Sequence, residues 1–532
     1  MPITALPTAP SRADPLNFAT RADAFLGALG TFGTEANALA TAANSSASSA
    51  AASAAACVPG GSAGYIQYSN AGVFAGNINF VINHASGVVT FVKDHFANSL
   101  TIGRGSSNNI ENIALGYQAL NAATTSNYST AVGSFALFVA TSGTQNTAVG
   151  NRALTSTTFG NYCTAVGAFS LGANTTGNSN SALGLSALTT NSVGSNNTAV
   201  GAAALQMATN ADNNTAVGAA SLTANTTGYD NTAVGASSLA ANLNGASNTA
   251  VGKSSLAANN SGSSNSAFGL FALRLNTTGN NNTAHGAGAL AATTIADDNT
   301  AFGANTLSSN TSGSVNTALG SNAMRYSTTG GLNTAVGFNA LSITNGFANV
   351  AVGYLAMLNN AGGGSNVAIG REALTGNSAG FNNTAVGTSA LYACTASNNS
   401  ACGSVTLADV TTGGGNTGVG YNTGRGITTG TNNTILGANV TGLAAALSNN
   451  IILADGAGNQ RVNVDASGHT TFAGIVKPKL YAVAGLPSAA TVGNGARAHV
   501  TDALTPAFGA AVAGGGAVSI PVYSDGTAWR VG

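Results

Sequence analysis

Charged side chains are scarce in this chain. Lys and Arg number 15 and Asp and Glu number 15 in 532 residues, so the formal net charge is zero. Charged residues make up 6% of the chain, whereas a typical soluble domain has about 25%. Nucleic-acid binding needs clustered Lys and Arg, so we expect no nucleic-acid partner. A disordered chain is also excluded, because 44% of the residues are hydrophobic.

Proline is absent from the middle of the chain, and cysteine is rare throughout. All nine prolines lie at position 59 or earlier, or at position 478 or later. Because proline has no N–H to donate to a β ladder, its absence between those positions suits continuous hydrogen-bonded strands. The cysteines show neither metal-ligand spacing nor disulfide-rich density. We expect reduced, buried, small side chains at Cys57, Cys163, Cys394 and Cys402.

Long apolar runs are missing as well. No stretch of about 20 apolar residues could span a membrane, so we expect no membrane insertion. The opening residues, MPITALPTAP, have no basic segment followed by an apolar run, so we expect no secretory signal. The glycines do not recur at every third residue, which excludes a collagen triple helix.

A repeat accounts for many of the 71 glycines. The phrase Asn-Thr-Ala-Val-Gly recurs between Asn112 and Gly437, and its 20 glycines are 17 residues apart except at two steps of 16. We call them the repeat glycines and give other positions relative to them. Asn lies four before, Ala two before, and Leu or Met four after the repeat glycine, each in 18 of 20 copies. Members of the series with an expected structural role are Gly150, Gly201, Gly218, Gly252 and Gly337.

The 17-residue unit predicts a mainly β fold. It is too short for two packed helices, which need about 33 residues. We therefore predict a parallel β-roll, or β-solenoid, of about 20 coils. Coils stacked at the strand spacing would extend about 95 Å. The phrase breaks down at its C-terminal end, which is typical of terminal coils; the exceptions there are Gly418, Gly424, Ile435 and Thr441.

Alternation along a strand assigns side chains to the two faces of the coil. Thr three before and Val one before the repeat glycine share one face, and Asn, Ala and the glycine share the other. We expect Val, with the Leu four after the glycine, to lie inside the coil, and the Asn column to form an amide ladder. Ala would then lie outside, where a small residue permits close approach of another chain and indicates a homo-oligomer.

The two ends of the chain differ from the repeat. Phe18, Phe25, Phe32 and Leu39 lie seven residues apart, which predicts either a coiled-coil-like helical segment or a single amphipathic helix. Alternating apolar residues predict strands on both sides of the repeat. The expected division is 1–56 N-terminal attachment segment with helix, 57–111 β module, 112–448 repeat shaft, 449–476 β connector and 477–532 small C-terminal β domain or tip.

The phrase Thr-Ala-Val-Gly resembles the head repeats of trimeric autotransporter adhesins, here on a longer coil. That resemblance implies a left-handed parallel β-roll of three chains. Residues 6–18 and 34–39 resemble the start of tail fibre proteins of tailed bacteriophages, and 61–91 resembles a β module common in such fibres. The ending, 486–529, is similar to a small C-terminal domain of phage tail proteins. An autotransporter would also need a signal peptide and a membrane barrel, and neither is visible in the sequence.

The tail-fibre resemblance implies a virion structural protein, a homotrimeric fibre for host-cell recognition and adsorption. Its N-terminus would attach to tail or baseplate proteins and its C-terminal tip to a glycan or protein receptor on the host surface. The expected location is the virion, and the host cytoplasm during assembly. Exposed aromatic side chains suit sugar stacking or protein contact, so Tyr523 and Trp529 are the receptor-binding candidates; both also suit the core of the tip.

A glycan-degrading tailspike and a bacterial surface adhesin are the alternative functions. Glycan cleavage needs a pair of carboxylates, and Asp297 and Asp298 are the one adjacent acidic pair in the repeat region. A solvated loop position suits that pair, with a weak cation site as its other use. We expect no enzyme activity, no catalytic residue, no cofactor and no metal.

Two further features of the repeat have alternative interpretations. His285 replaces the usual Val, with Phe268 and Phe302 one coil away on either side, which suggests a locally thicker core around a neutral His or an ion site repeated in three chains. Thr occupies 14 of 20 positions three before the repeat glycine. Flat Thr arrays bind ice in some β-solenoids, but placing Val inside the coil also places Thr inside and argues against ice binding.

Overall fold

The structure is a computed structural model, and it describes residues 8–9, 18–51, 80–83, 88–91, 95–97, 100–106, 109–474, 480–503, 511, 518–525 and 527–531. Two compact units divide the chain, Met1–Val92 and Lys93–Gly532. The first unit contains the helix α1 (Phe18–Ala51) and an antiparallel hairpin of β1 (Phe80–Asn83) and β2 (Val88–Phe91). The predicted N-terminal helix is therefore confirmed. Cys57 and most of the predicted 57–111 module lie outside the described residues.

The second unit is built from short strands. It begins with β3 (His95–Ala97) and β4 (Leu100–Gly103), which pair antiparallel with each other, and β4 pairs antiparallel with β5. The solenoid strands are β5 (Ile113–Tyr117), β6 (Thr130–Val132), β7 (Thr147–Val149), β8 (Thr164–Val166), β9 (Ser181–Leu183), β10 (Thr198–Val200), β11 (Thr215–Val217), β12 (Thr232–Val234), β13 (Thr249–Val251), β14 (Ser266–Phe268), β15 (Thr283–His285), β16 (Thr300–Phe302), β17 (Thr317–Leu319), β18 (Thr334–Val336), β19 (Val350–Val352), β20 (Val367–Ile369), β21 (Thr384–Val386), β22 (Ser400–Cys402), β23 (Thr417–Val419), β24 (Thr434–Leu436) and β25 (Ile451–Ala454).

Each solenoid strand pairs in parallel with the next, residue for residue. Thr198 pairs with Thr215, and Val200 with Val217. After β25 the chain turns back in an antiparallel meander of β26 (Gln460–Val464) and β27 (Thr470–Phe472). The prediction of a mainly β, parallel solenoid with a 17-residue period is confirmed.

The repeat glycines are required by backbone conformation and by space. At Gly252 φ is +132°, and a Cβ there would lie 2.5 Å from the carbonyl oxygen of Gly269 in the next coil. The same holds, with φ of +134° to +137° and a nearest backbone atom at 2.4–2.6 Å, at Gly150, Gly201, Gly218 and Gly337. Side chains rarely adopt this conformation and would also separate the stacked backbones. The glycine column therefore sets how closely the coils stack.

Alanine, not valine, faces the interior of the coil. The Ala two before the repeat glycine is fully buried, as at Ala216 and Ala233, whereas Val217 and Val234 are only half buried. The Leu four after the glycine is also fully buried, as predicted. The expectation that Val lies inside and Ala outside is wrong. Because the interior is narrow, the leucine of each coil leaves room for little more than a methyl group on the strand.

Within each coil the backbone reverses direction at the buried leucine. Leu222 and Leu239 have φ of 49°, in the left-handed region that costs L residues about 1–2 kcal/mol. Burying a leucine side chain contributes about 1.5–3 kcal/mol, which offsets that penalty. The turn and the core are therefore made by the same residue in nearly every coil.

Two columns of buried asparagines run through the coils. In the predicted column, Asn214 Nδ2 donates to Asn197 Oδ1 in the preceding coil at 3.1 Å and to the carbonyl of Gly228 at 2.9 Å. In a second column, seven after the repeat glycine, Asn242 Nδ2 donates to Asn225 Oδ1 at 2.8 Å. The predicted amide ladder is confirmed, and these bonds satisfy polar groups that burial would otherwise leave unpaired.

A small sheet forms the C-terminal part of the chain, as predicted. Its strands are β28 (Leu480–Tyr481), β29 (Asn494–Ala503), β30 (Val518–Asp525) and β31 (Trp529–Val531), with a short 3₁₀ helix (Val483–Gly485) and a helix α2 (Ala489–Val492) between β28 and β29. β28 pairs in parallel with β29, and β29, β30 and β31 are antiparallel. Its core comprises Ala498, Val500, Ala503, Ile520, Val522 and Val531.

Candidate functional site

The outward side of the solenoid strands is the main candidate for an interaction site. We define the strand face as the side chains three and one before each repeat glycine, together with the matching residues of β25. Since Ala points inward, alternation along the strand directs Thr and Val outward, and these residues are half buried or exposed. Each coil contributes one such pair at the strand spacing.

The position one before the repeat glycine forms a continuous apolar column. Each of the 21 solenoid strands has an apolar residue or Cys402 there, except β15, where His285 lies. The larger members are well exposed: Leu183 by 51%, Phe302 by 51% and Leu319 by 45%. At about 4.8 Å per coil and about 10 Å per three-residue strand, the face covers about 1,000 Å². The apolar column is about half of that area, and monomeric proteins rarely expose continuous apolar surface larger than a few hundred Å².

An aromatic stack interrupts the valines of this column. The His285 ring stacks between Phe268 and Phe302, with ring centroids 5.1 and 4.7 Å apart. His285 and Phe302 are exposed on the strand face. The expectation of a thicker core around His285 is therefore wrong, because this column lies outside the coil.

The threonine column also lies on the outward face. Thr198 and Thr215 are half buried at the surface of the coil, beside the valines. The prediction that Thr points inward with Val is wrong for the same reason, since Ala occupies the interior. With an outward Thr column, the orientation of Thr is therefore no reason to exclude ice binding.

Several acidic residues of the solenoid have structural partners. Asp297 Oδ1 accepts from the backbone N–H of Asn280 at 2.6 Å, and Asp298 Oδ1 accepts from Asn281 Nδ2 at 3.1 Å. Both lie just before strand β16, in the loop position that was predicted. Arg425 Nε lies 2.7 Å from Asp409 Oδ2, and its hydrogen bond lowers the pKa of that carboxyl group. A general acid needs the opposite shift.

The cysteines divide into two environments. Cys163 and Cys394 are fully buried, as predicted, and burial raises the pKa of Cys163 and raises that of Cys394 to about 11. Such thiols are unreactive at neutral pH. Cys402 is exposed on the strand face, so the prediction that it is buried is wrong.

The two receptor-binding candidates lie on neighbouring strands of the C-terminal sheet. Tyr523 on β30 pairs with Arg530 on β31, next to Trp529. The Trp529 indole donates to the carbonyl of Pro487 at 2.7 Å and packs against the core of the sheet. Both side chains are half buried. Trp529 therefore stabilises this sheet, and a role in binding stays a prediction.

Sequence reasoning missed the orientation of the strand face, although a signal was present. Where alanine is replaced by Ile435, the leucine of the coil before it is replaced by Gly424. Such paired changes indicate that the two positions contact each other inside the coil. The second asparagine column was also missed, because it contains Thr, Ser and Ala in some coils.

Comparisons with protein-family models, with curated proteins and with solved structures found no match. Within the ranges that the structure describes, no three His, Cys, Asp or Glu side chains group as a metal site would require. The helices seen in those same ranges lack the combination of length and apolarity that crossing a membrane takes.

Proposed function

We propose that this chain is the subunit of a homotrimeric tail fibre of a tailed bacteriophage. Its solenoid is the shaft, its N-terminal segment attaches to tail or baseplate proteins, and its C-terminal sheet contacts a host surface receptor. The protein belongs to the virion and is present in the host cytoplasm during assembly. The observation that carries the assembly part is the outward apolar column on nearly every coil.

Burial of that column favours self-association. A stable interface covers about 800 Å² on each partner, and the strand face offers about 1,000 Å² by the strand dimensions. The face is only about 10 Å wide, so three copies around one axis bring their Val columns together with little space left between them. In this proposal the Val column makes the contact between chains, and the Ala column, which faces the interior, does not.

The ends support the attachment and recognition roles less directly. On α1, Leu39 of the heptad series and Leu29, four after Phe25, are exposed in the single chain, which suits packing against further helices. The assignment of the two ends to tail and receptor rests on their resemblance to tail fibre proteins. Deleting residues 477–532 should abolish host adsorption and leave the remaining chain trimeric; adsorption by the shortened fibre contradicts the receptor assignment.

Cys402 tests the assembly directly, because it is the one cysteine among the described residues that lies on the strand face. In a Cys57→Ser background, mild oxidation should join two chains of each trimer through Cys402. A dimer band should appear on a non-reducing gel, and the unoxidised protein should sediment at three times 51.3 kDa.

The matched control moves the thiol to the opposite side of the coil. In the variant Cys57→Ser/Cys402→Ser/Ala241→Cys, the new thiol is at an exposed position six after a repeat glycine. It should give no cross-link. Equal cross-linking by the two variants, or a species of 51.3 kDa at all concentrations, contradicts the trimer.

A structural role, and no enzyme activity, also fits the carboxylates. Hydrogen bonds from Arg425, and from Asn459 with Arg461, lower the pKa of Asp409 and Asp455 respectively, which opposes their use as general acids. Incubation with host envelope polysaccharide should release no oligosaccharide. Release of fragments would instead favour the tailspike alternative.

Ice binding is a second candidate, because the threonine column faces outward. The stack of Phe268, His285 and Phe302 interrupts the flat Thr-Val array, and the array is also the surface proposed to be covered by other chains. We therefore expect no thermal hysteresis in a solution of the protein. A measurable hysteresis would make the free strand face the functional surface.

A further inference from the structure

The charged residues of the solenoid are segregated within the coil. All six basic residues between Asn112 and Thr441 lie one to five positions after a repeat glycine, a segment that we call the basic turn. They are Arg152, Lys253, Arg274, Arg325, Arg371 and Arg425. Each coil enters its basic turn directly after its strand, so Arg152 and Lys253, one or two positions after the glycine, lie along one border of the strand face. The Arg274 guanidinium lies over the ring of Phe271, two after the glycine, and so reaches the same border. Arg325 instead lies over Tyr326, six after the glycine and past the reversal of the chain.

The acidic residues favour the other border. Four of the six lie six or five positions before a repeat glycine, a segment that we call the acidic turn: Asp212, Asp230, Asp297 and Asp298. The remaining two are neutralised within the chain, Glu372 by Arg371 at 3.2 Å and Asp409 by Arg425 at 2.7 Å. The acidic turn comes directly before the strand.

Within the part of the chain that the structure describes, the other charges of the basic and acidic turns form no ion pair. Across the described residues 109–474, salt bridges hold Arg371, Arg425, Arg461 and His469, but none holds the four remaining bases of the basic turn. Lys253, Arg274 and all residues of the acidic turn except Asp297 are exposed. Each chain thus presents unpaired negative charge along one border of its strand face and unpaired positive charge along the other.

Hydrogen bonding within the chain does not explain why carboxylates, and not neutral amides, occupy the acidic turn. Asp212 Oδ1 accepts from the backbone N–H of Ser195 at 2.7 Å, and in other coils the neutral Asn178 accepts from Asn161 N–H at 2.8 Å in the same way. An amide therefore makes this contact as well as a carboxylate does. The carboxylates add charge without adding a hydrogen bond.

We infer that the acidic turn of each chain lies against the basic turn of the next chain, so that charge selects a parallel and aligned ring. This inference rests on the homotrimer proposed above and names its contact. A three-fold axis that runs parallel to the solenoids places the acidic border of one strand face beside the basic border of its neighbour. An antiparallel pairing of two faces instead brings acidic turn to acidic turn, which like-charge repulsion disfavours.

The positions along the solenoid agree with this pairing. Lys253 lies two coils after Asp212, and Arg274 lies two coils after Asp230. At about 4.8 Å per coil these offsets are about 10 Å, which is comparable to the screening length of about 8–10 Å at moderate salt. A shift of one chain by several coils would lose this match.

Charge reversal tests the contact on the full chain. One variant carries Lys at Asp212, Asp230, Asp297 and Asp298, and a second carries Glu at Arg152, Lys253 and Arg274. Each has two borders of like charge, so its trimer fraction at low salt should fall about tenfold or more and recover in high salt. Combining both sets restores opposite borders, and this exchanged chain should form trimers as the original does. Native mass spectrometry measures the fractions.

Co-expression of two different chains tests the contact between the borders more directly. When the original chain and a tagged exchanged chain are co-expressed, they should sort into separate trimers, because every mixed contact meets like charge. A tagged original chain should mix freely with the untagged one. Random mixing of original and exchanged chains, or unchanged trimers in both single-border variants at low salt, overturns the inference. An original chain that is monomeric contradicts the proposed function instead.

A neutral variant guards against loss of folding. Asn at the four acidic positions keeps the inter-coil hydrogen bonds and removes the charge. Its circular dichroism should match the original chain, and its trimer dissociation should depend less on salt. If its salt dependence is unchanged, the acidic turn does not contact the basic turn.

Discussion

The regular coils and the last coils of the solenoid fill the same interior with different side chains. In a regular pair, Leu239 fills the interior and Ala250 of the next coil adds only a methyl group; both are fully buried. In the last coils the leucine position is Gly424 and the alanine position is Ile435, which is also fully buried. Ile435 Cδ1 lies 3.4 Å from the point that a Cβ of residue 424 would occupy. The large side chain has moved from the turn to the strand.

This difference teaches that the fold maintains interior volume more strictly than it maintains the repeat phrase. At Gly418, one coil before Ile435, a Cβ would lie only 2.9 Å from Leu407 Cγ. Interiors packed to this density respond to changes of single methyl groups. What looks like decay of the repeat at its end is an exchange of volume between two contacting positions.

The repeat glycines are common to both kinds of coil, and changing one should have the largest effect. Gly235→Ala places a Cβ 2.7 Å from backbone atoms of Gly252 at a φ of +131°. We expect a loss of about 4 kcal/mol in the free energy of unfolding, from backbone strain and overpacking. Denaturation by urea measures it. Gly442→Ala, with a φ of +71° and open space, is the control and should cost about 1 kcal/mol; equal losses would remove the stacking argument.

The exchange of volume in the last coils should be reversible. Ile435→Ala alone opens a cavity and should cost about 3 kcal/mol. Gly424→Leu alone should also destabilise, because its Cβ would meet Leu407 Cδ2 at 2.5 Å. The double variant recreates a regular coil and should recover most of the loss. Thermal unfolding at fixed chain concentration provides the comparison.

The reciprocal change in a regular coil sharpens the same point. Leu239→Gly/Ala250→Ile copies the arrangement of residues 424 and 435. It should be more stable than Leu239→Gly alone by about 2 kcal/mol, since the isoleucine fills the space left by the leucine. If the stability losses of the single variants simply add in both double variants, the side chains at the leucine and alanine positions do not fill the same interior space.

The asparagine ladder should show an intermediate effect. Asn248 Nδ2 donates to Gly262 O at 2.8 Å, and Asn248 Oδ1 accepts from Asn265 N–H at 3.0 Å. Asn248→Ala leaves buried polar groups without partners and should cost about 2 kcal/mol. The exposed Asn260→Ala should cost about 0.5 kcal/mol or less. Hydrogen exchange at the amide of residue 265 should report the local opening.

The ion pair between Asp409 and Arg425 belongs to the last coils and should have the smallest effect. The pKa of Asp409 is lowered by Arg425, so the pair stabilises the fold above the carboxyl's unfolded pKa and loses this contribution as pH falls through the lower folded value. Both side chains are about one-third exposed, so we expect about 0.5 kcal/mol. Asp409→Asn should lower stability at pH 7 and reduce its fall below pH 4. An unchanged pH profile contradicts this.

The sequence predicts the stacking of this fold better than its faces. The 17-residue spacing predicts parallel strands and one asparagine ladder because periodicity follows directly from backbone stacking. The face assignment failed because alternation alone does not say which side is inside; Val217 was assigned inward by its hydrophobicity and is half buried, while Ala216 is fully buried. The outward column is apolar for reasons that lie outside the single chain. Charge position within the coil could be found from the sequence once the faces were known.

The two 16-residue steps have a consequence for how this chain can change its size. Both omit a residue between the buried Leu and the next Asn, at 341–349 and 391–399, while the strand pairs Thr334–Val350 and Thr384–Ser400 are kept. The segment between the buried Leu and the next Asn therefore tolerates a change in length. Because every repeat begins and ends with the same strand pairing, a whole repeat can be inserted or removed between two others. Duplication or deletion of 17 residues alters the reach of the solenoid in increments of about 4.8 Å. The distance between its two ends can thus evolve without altering either end.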